Sequence, residues 1–267
     1  MQNNLANLYV SISDDMIQFP QNSPLLAVQS SPSHQIGGVI SGTLGVWGDS
    51  TVYYVTDDLE IPTGQTLTIE AGTTLVFSPT QRMVVAGQLQ ANGNTVFPVR
   101  FISPNEAGWE GIQIQASAVN SWCTGCSLEN IRANGVALQV EAPFAFRSSF
   151  IHNVPGGMAI STTVPMTLTH VVIDYVDTGI HLSGQPGQTH SISQVTLNRC
   201  ERGVVNQGQT LTLDNSIITT CSVAFSTELT GTTAISYMLF HGNGQNFVTE
   251  AGSTLTQGPG LLNGPPG

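Results

Sequence analysis

The chain has 267 residues, of which 40% are apolar and only 9% charged, with 17 Asp and Glu against 6 basic residues and a net charge of -11. That length and apolar content suffice for a sizeable core, whereas so few charges exclude a charge-solvated disordered chain and a coiled coil. All six basic residues are arginines, and the acidic balance excludes nucleic acid and an anionic membrane surface as partners.

From the N-terminus, Met1 to Leu5 carry neither the basic nor the apolar stretch of a signal peptide. No run of about 18 apolar residues occurs anywhere, so membrane insertion is not expected. The absence of lysine and a surface of Thr, Ser, Asn and Gln point to an extracellular or cell-surface protein. Residues 1–41 read as an extended segment. Leu8, Tyr9, Val10, Ser11 and Ile12 alternate as a strand, and Pro20, Pro24 and Pro32 break the remainder into short extended pieces. Such a segment either caps a first coil or pairs with another subunit or domain.

Residues 42–255 repeat. Gly64, Gly87, Gly111, Gly135, Gly157, Gly179 and Gly203 are spaced by 23, 24, 24, 22, 22 and 24 residues. A short alternating apolar segment comes after these glycines, as in Met158-Ala159-Ile160 and Ile180-His181-Leu182. Two more complete each repeat, as in Met166-Thr167-Leu168 and Val171-Val172-Ile173. Three short β-branched strands in about 22 residues are not helices. One repeat cannot bury its own inward face, so the repeats must stack. The prediction is an all-β, right-handed parallel β-helix of three-strand coils, the hand following from the crossover rule. Residues 256–267, rich in Gly and Pro, read as a terminal cap or linker.

Five successive stretches carry a resemblance. Tyr53-Tyr54-Val55-Thr56-Asp57-Asp58-Leu59-Glu60-Ile61-Pro62 leads into Gly64-Gln65-Thr66-Leu67-Thr68-Ile69-Glu70-Ala71-Gly72-Thr73-Thr74-Leu75-Val76-Phe77. Val84 to Gly93, Val99 to Ser103 and Gly108-Trp109-Glu110-Gly111-Ile112 then come in order. This succession resembles bacterial right-handed parallel β-helix repeat proteins, the pectate-lyase-like superfamily. The resemblance implies the β-helix. It leaves function open, because members include polysaccharide enzymes as well as surface and adhesion modules.

Aligned coils bring Asn130, His152, Asp174, Asn198, Thr219 and His241 into one polar column. His152 beside Asp174 has the makings of an acid–base pair, although Asn, Asp and Thr at bends also serve simply as backbone partners. Asp174 and Asp177, with Glu201 and Arg199 or Arg202 one coil on, form the one central acidic–basic cluster. Two of these carboxylates at about 5 to 9.5 Å would suit a glycosidase. Calcium is implied only for a polysaccharide lyase, and six to eight oxygens are more than the cluster offers. No other metal or cofactor is expected. Cys123-Thr124-Gly125-Cys126 has no second pair to hold zinc; it reads as a small bridge or two free thiols. Cys200 and Cys221 fall at matching points of consecutive coils, as an interior ladder or an inter-coil bridge. Phe144, Phe146 and Phe150 are expected to stack inside.

These features favour a non-catalytic structural, adhesion or self-assembling surface β-helix, filament-forming through Leu8 to Ile12. Its partners would be copies of itself, neighbouring domains of a surface protein, or a glycan. The competing expectation is a polysaccharide lyase or glycoside hydrolase using Asp174, Asp177, Glu201, Arg199 and His152.

Overall fold

The computed structural model describes residues 34–45, 51–104 and 106–264. The segment Leu8 to Ile12 lies outside them. Among the described residues every regular element is a strand, and the strands stack as a parallel β-helix of about ten coils, each about 22 residues long.

Three parallel ladders run the length of the stack. Ladder A includes Thr66–Glu70, Gln88–Asn92, Ser121–Thr124, Thr210–Asp214, Thr232–Ser236 and Thr254–Gln257. Ladder B includes Thr74–Phe77, Val99–Ile102, Cys126–Glu129, residues 149–152, 171–174 and 195–198, then Ile217–Thr219, Leu239–His241 and Leu262–Asn263. Ladder C includes Met83–Val85, Ile112–Ile114, Val136–Val140, residues 158–162 and 178–182, then Val223–Leu229 and Gln245–Val248. Each coil thus hydrogen-bonds only to the coils above and below it.

Alternation within each strand sends every second side chain inward. In ladder B, Leu75, Phe101, Leu128, Ile151, Ile173, Leu197, Ile218 and Phe240 are in register on consecutive coils and buried. Comparable columns line the other ladders, and together they form one continuous apolar core.

From Ser121 onward, single left-handed residues turn the chain at two corners of the coils. Between ladders A and B they are Gly125, Ser148, His170, Gln194, Asn215, Tyr237 and Gly260. Between ladders B and C they are Asn130, Asn153, Tyr175, Arg199, Thr220 and Gly242. The non-glycine members have φ from 47° to 62°, a region where Asn is tolerated and most residues are strained. Asparagines offset this by stacking: Asn153 Nδ2 donates to Asn130 Oδ1 at 2.8 Å, and Asn130 Nδ2 donates to the Ser103 carbonyl at 2.9 Å.

Five of the seven periodic glycines, Gly87, Gly111, Gly157, Gly179 and Gly203, mark close approach between coils. A Cβ placed on Gly157 would lie 2.2 Å from the Gly135 carbonyl oxygen, and one on Gly203 would lie 2.4 Å from that of Ala224. No side chain fits at such distances, so the repeat of glycine follows from backbone stacking.

Three expectations are corrected. The ladders outrun residues 42–255, because His34–Val39 pairs with Val52–Ile61 and Leu262–Asn263 pairs with Leu239–His241; the end region 256–264 therefore contributes strand rather than only cap. Asn130 is not in the polar column: Glu129 is the residue in register with His152, and Asn130 occupies the left-handed corner one residue later. Phe150 points outward, being the neighbour of inward Ile151, whereas Phe144 and Phe146 are buried. All four cysteines are buried.

His190 is an inward residue of ladder A, in register with Leu211, and neither ring nitrogen has a hydrogen-bond partner. Burial lowers its pKa below the ordinary 6.5, and burial does the same to His181. The folded state therefore holds both rings neutral, while the unfolded chain takes up protons near pH 6.5. Their stabilisation is complete above that pH and is lost as pH falls through it toward the folded values. Each contributes a slope of up to about 1.4 kcal/mol per pH unit within that window. Urea midpoints of wild type are expected to fall from pH 7.5 to pH 5.5, and His190→Leu is expected to lose distinctly less. An equal fall in both proteins would show that His190 takes no part.

Candidate functional site

The polar column on the outer side of ladder B is the densest cluster of ionisable side chains in the central coils. His152 is in register with Asp174, Asp174 with Asn198, Asn198 with Thr219 and Thr219 with His241. The next residue of each coil is the left-handed corner, which stacks Tyr175 beside Arg199. Parallel stacking thus gathers residues about 22 to 25 positions apart in sequence into one site.

Asp174 is its centre. Its Oδ1 accepts from Asn198 Nδ2 at 2.8 Å and from Arg199 Nε at 2.8 Å. Its Oδ2 accepts from Arg199 Nη2 and lies 3.1 Å from His152 Nδ1. The guanidinium thereby binds the carboxylate through two nitrogens, a strong geometry. These bonds, Arg199 foremost, hold the Asp174 carboxyl below its usual range despite partial burial. Arg199 also lies over the Tyr175 ring, its Cζ 5.6 Å from the centroid, and His152 stacks on Phe150 at 5.6 Å.

Beside this cluster is a shallow cleft of about 280 Å³ lined by Pro155, Gly156, Tyr175, Asp177, Arg199 and Glu201. Asp177 accepts from the Thr178 hydroxyl at 3.2 Å, and Glu201 accepts from the Ser222 hydroxyl at 2.9 Å. The structure therefore brings together Asp174, His152 and Arg199 directly, and sets Asp177 and Glu201 alongside. Arg202 is not part of the group. It lies on ladder C, in register with Val223, and pairs with Glu228.

A glycosidase needs one carboxyl kept protonated by apolar surroundings and a second one ionised. Asp174 is ionised and saturated with donors, which leaves it neither proton nor lone pair to offer. Glu201 is exposed and Asp177 only half-buried. No three His, Cys, Asp or Glu side chains gather to hold a metal among the described residues.

Two of the four thiols are chemically muted, whereas the hydrogen bond with Cys200 lowers the pKa of Cys221. Burial, together with the neighbouring Cys123 thiol, pushes Cys126 well above its ordinary value. The bond to Cys221, then burial, push Cys200 up. Neither of these two thiols is poised as a nucleophile.

Tyr175 is a member of the site that the sequence reading misses. So is the outward apolar column of ladder B formed by Phe150, Val172, Ile217, Leu239 and Leu262. The signal is present as consecutive apolar residues, Val171-Val172-Ile173, Ile217-Ile218 and Leu239-Phe240, where a strand with one wet face would alternate.

No protein-family model matches the chain, and no curated protein matches it. Among solved structures the chain is similar to the catalytic unit of a thermostable GH87 alpha-1,3-glucanase from Streptomyces thermodiastaticus strain HF3-3, with 12% identity and a TM-score of 0.42. That match covers 85% of this chain and 61% of the glucanase unit, so the chain spans about three-fifths of that structure's length.

Proposed function

We propose that the chain is a non-catalytic β-helix module of an extracellular or cell-surface structure, working through association rather than turnover. The observation that carries this reading is the state of Asp174. The carboxylate at the heart of the central cluster is fully committed to Arg199, Asn198 and His152. It acts as a clasp between coils. The absence of lysine and the sparse charge support the location. Strand exchange through Leu8 to Ile12 is a further route of association for such a module, on residues outside those described.

The cleft between Tyr175, Asp177 and Glu201 favours one second reading, a polysaccharide-acting enzyme. The two are separated by incubating the protein with polyuronides and neutral glucans, with and without calcium, and measuring released reducing ends and unsaturated products. No product is expected. Product that disappears in Asp177→Asn and Glu201→Gln would overturn the non-catalytic reading and install the second.

A further inference from the structure

Ladder B carries an unbroken outward column next to the polar one. Phe150 is in register with Val172, Val172 with Thr196, Thr196 with Ile217, Ile217 with Leu239 and Leu239 with Leu262. Five of these six side chains are apolar. Val172, Ile217 and Leu262 are 40%, 39% and 65% exposed. With coils about 4.8 Å apart, the stripe runs for about 24 Å. Scattered exposed apolar residues are ordinary, but a stacked row of them on a flat sheet face marks an interaction site. Exposed Tyr175 and Tyr237, at the corners on either side, widen it.

The chemistry of the face narrows the partner. The chain carries a net charge of -11, yet the ionised groups on this face are paired with each other. Arg100 binds Glu129, and Arg199 binds Asp174. These pairs neutralise the strand face itself, while the carboxylates of Asp177 and Glu201 lie past the Tyr175 corner, so two copies can meet on the stripe with less repulsion than their net charges impose elsewhere. A glycan would want many donors and acceptors, and the column itself offers one hydroxyl, that of Thr196, with those of Tyr175 and Tyr237 at its margins. An anionic membrane would want a basic surround, and the chain has no lysine. A second copy presents an identical flat, neutral, apolar stripe. A two-fold axis near Thr196 and Ile217 would lay the stripe on itself, at the roughly 10 Å separation of packed sheets.

We propose that the outer face of ladder B is a self-association surface on which a second copy of this chain packs sheet against sheet through Phe150, Val172, Ile217, Leu239 and Leu262. The inference rests on the reading of the chain as a structural module, and names its partner.

Sedimentation equilibrium of the full chain over a wide concentration range tests it. Wild type is expected to associate. The double variant Val172→Glu with Ile217→Glu buries like charges at the contact and should weaken association by about 100-fold or more. Val172→Lys with Ile217→Lys should weaken it as much, and an equimolar mixture of the two variants should associate again. Circular dichroism and urea midpoints near wild type confirm that the outward substitutions leave the coils intact. A wild-type chain that stays monomeric, variants that associate as wild type does, or a mixture that fails to recover would each overturn the proposal. Binding of a glycan to a monomeric wild type, abolished by the same substitutions, would reassign the face. The turnover assay is independent of these outcomes: released product would sink the non-catalytic reading whatever the oligomeric state, and a monomer without turnover would leave that reading standing.

Discussion

Gly111→Ala is expected to cost roughly 4 kcal/mol or more, among the largest effects of any single substitution in the chain. Two demands meet at this position. Its φ is +87°, where an L side chain is strained. A Cβ there would also lie 2.1 Å from the Val136 carbonyl oxygen and 2.7 Å from that of Ala137. Both obstacles are backbone of the next coil, held by ladder hydrogen bonds, so no side chain can swing aside. Relief requires separating two coils. A change of that size corresponds to a fall of about 10 °C or more in the thermal midpoint. Gly64→Ala is the control: φ is +77° but nothing lies within 4 Å of the added Cβ, so only the backbone strain remains. Similar midpoints for the two variants would show that contact between coils is not what fixes the glycine.

Trp109→Ala is expected to cost about 3 to 5 kcal/mol. Trp109 is fully buried and is the largest side chain in the core. Its ring stacks on Phe77 at 4.2 Å, and Phe101 lies beyond at 6.4 Å. Its Nε1 donates to the Glu129 carbonyl at 3.0 Å, and its backbone bridges to Ile131. Alanine removes the ring, the stacking and the donor together. Trp109→Phe keeps most of the ring and gives up the donor, for about 1 to 3 kcal/mol. Urea midpoints should therefore order wild type, Phe and Ala. An Ala variant as stable as the Phe variant would mean that the cavity closes and that stacking contributes little.

The glycine spacing is legible in the sequence because most of it obeys a hard steric rule: at Gly87, Gly111, Gly157, Gly179 and Gly203 coil backbones touch, and only one residue type fits. The inward columns are legible for a similar reason, since period-two alternation survives in nearly every strand. The Asp174 cluster can be assembled on paper because stacking converts a spacing of about 22 residues into adjacency. Its chemistry cannot. Whether Arg199 or Arg202 meets Asp174 depends on which side of a corner each falls, and that is decided by one left-handed residue. Asn130 shows the same sensitivity. Coil lengths vary between 22 and 24 residues, and a one-residue slip moves a side chain from a strand face to a corner. Phe150 escapes a reading of alternation as apolar inside and polar outside, because ladder B has apolar residues on both sides. The cysteines fall at facing positions, as their spacing suggests, but proximity of two thiols in aligned coils does not decide their oxidation state.

Because each coil pairs with the coil before and the coil after it, the described residues contain no strand pairing that staples distant coils together. Tension applied along the chain from one end would meet the ladders a single rung at a time. Each rung that gave way would release about 22 residues, or roughly 75 Å of slack, while the remaining coils stayed wound. The clasps at Asp174 and Glu228, each tying a side chain to the adjacent coil, would act as ratchet stops along that path. Such a module yields in steps under load, like a spooled tether.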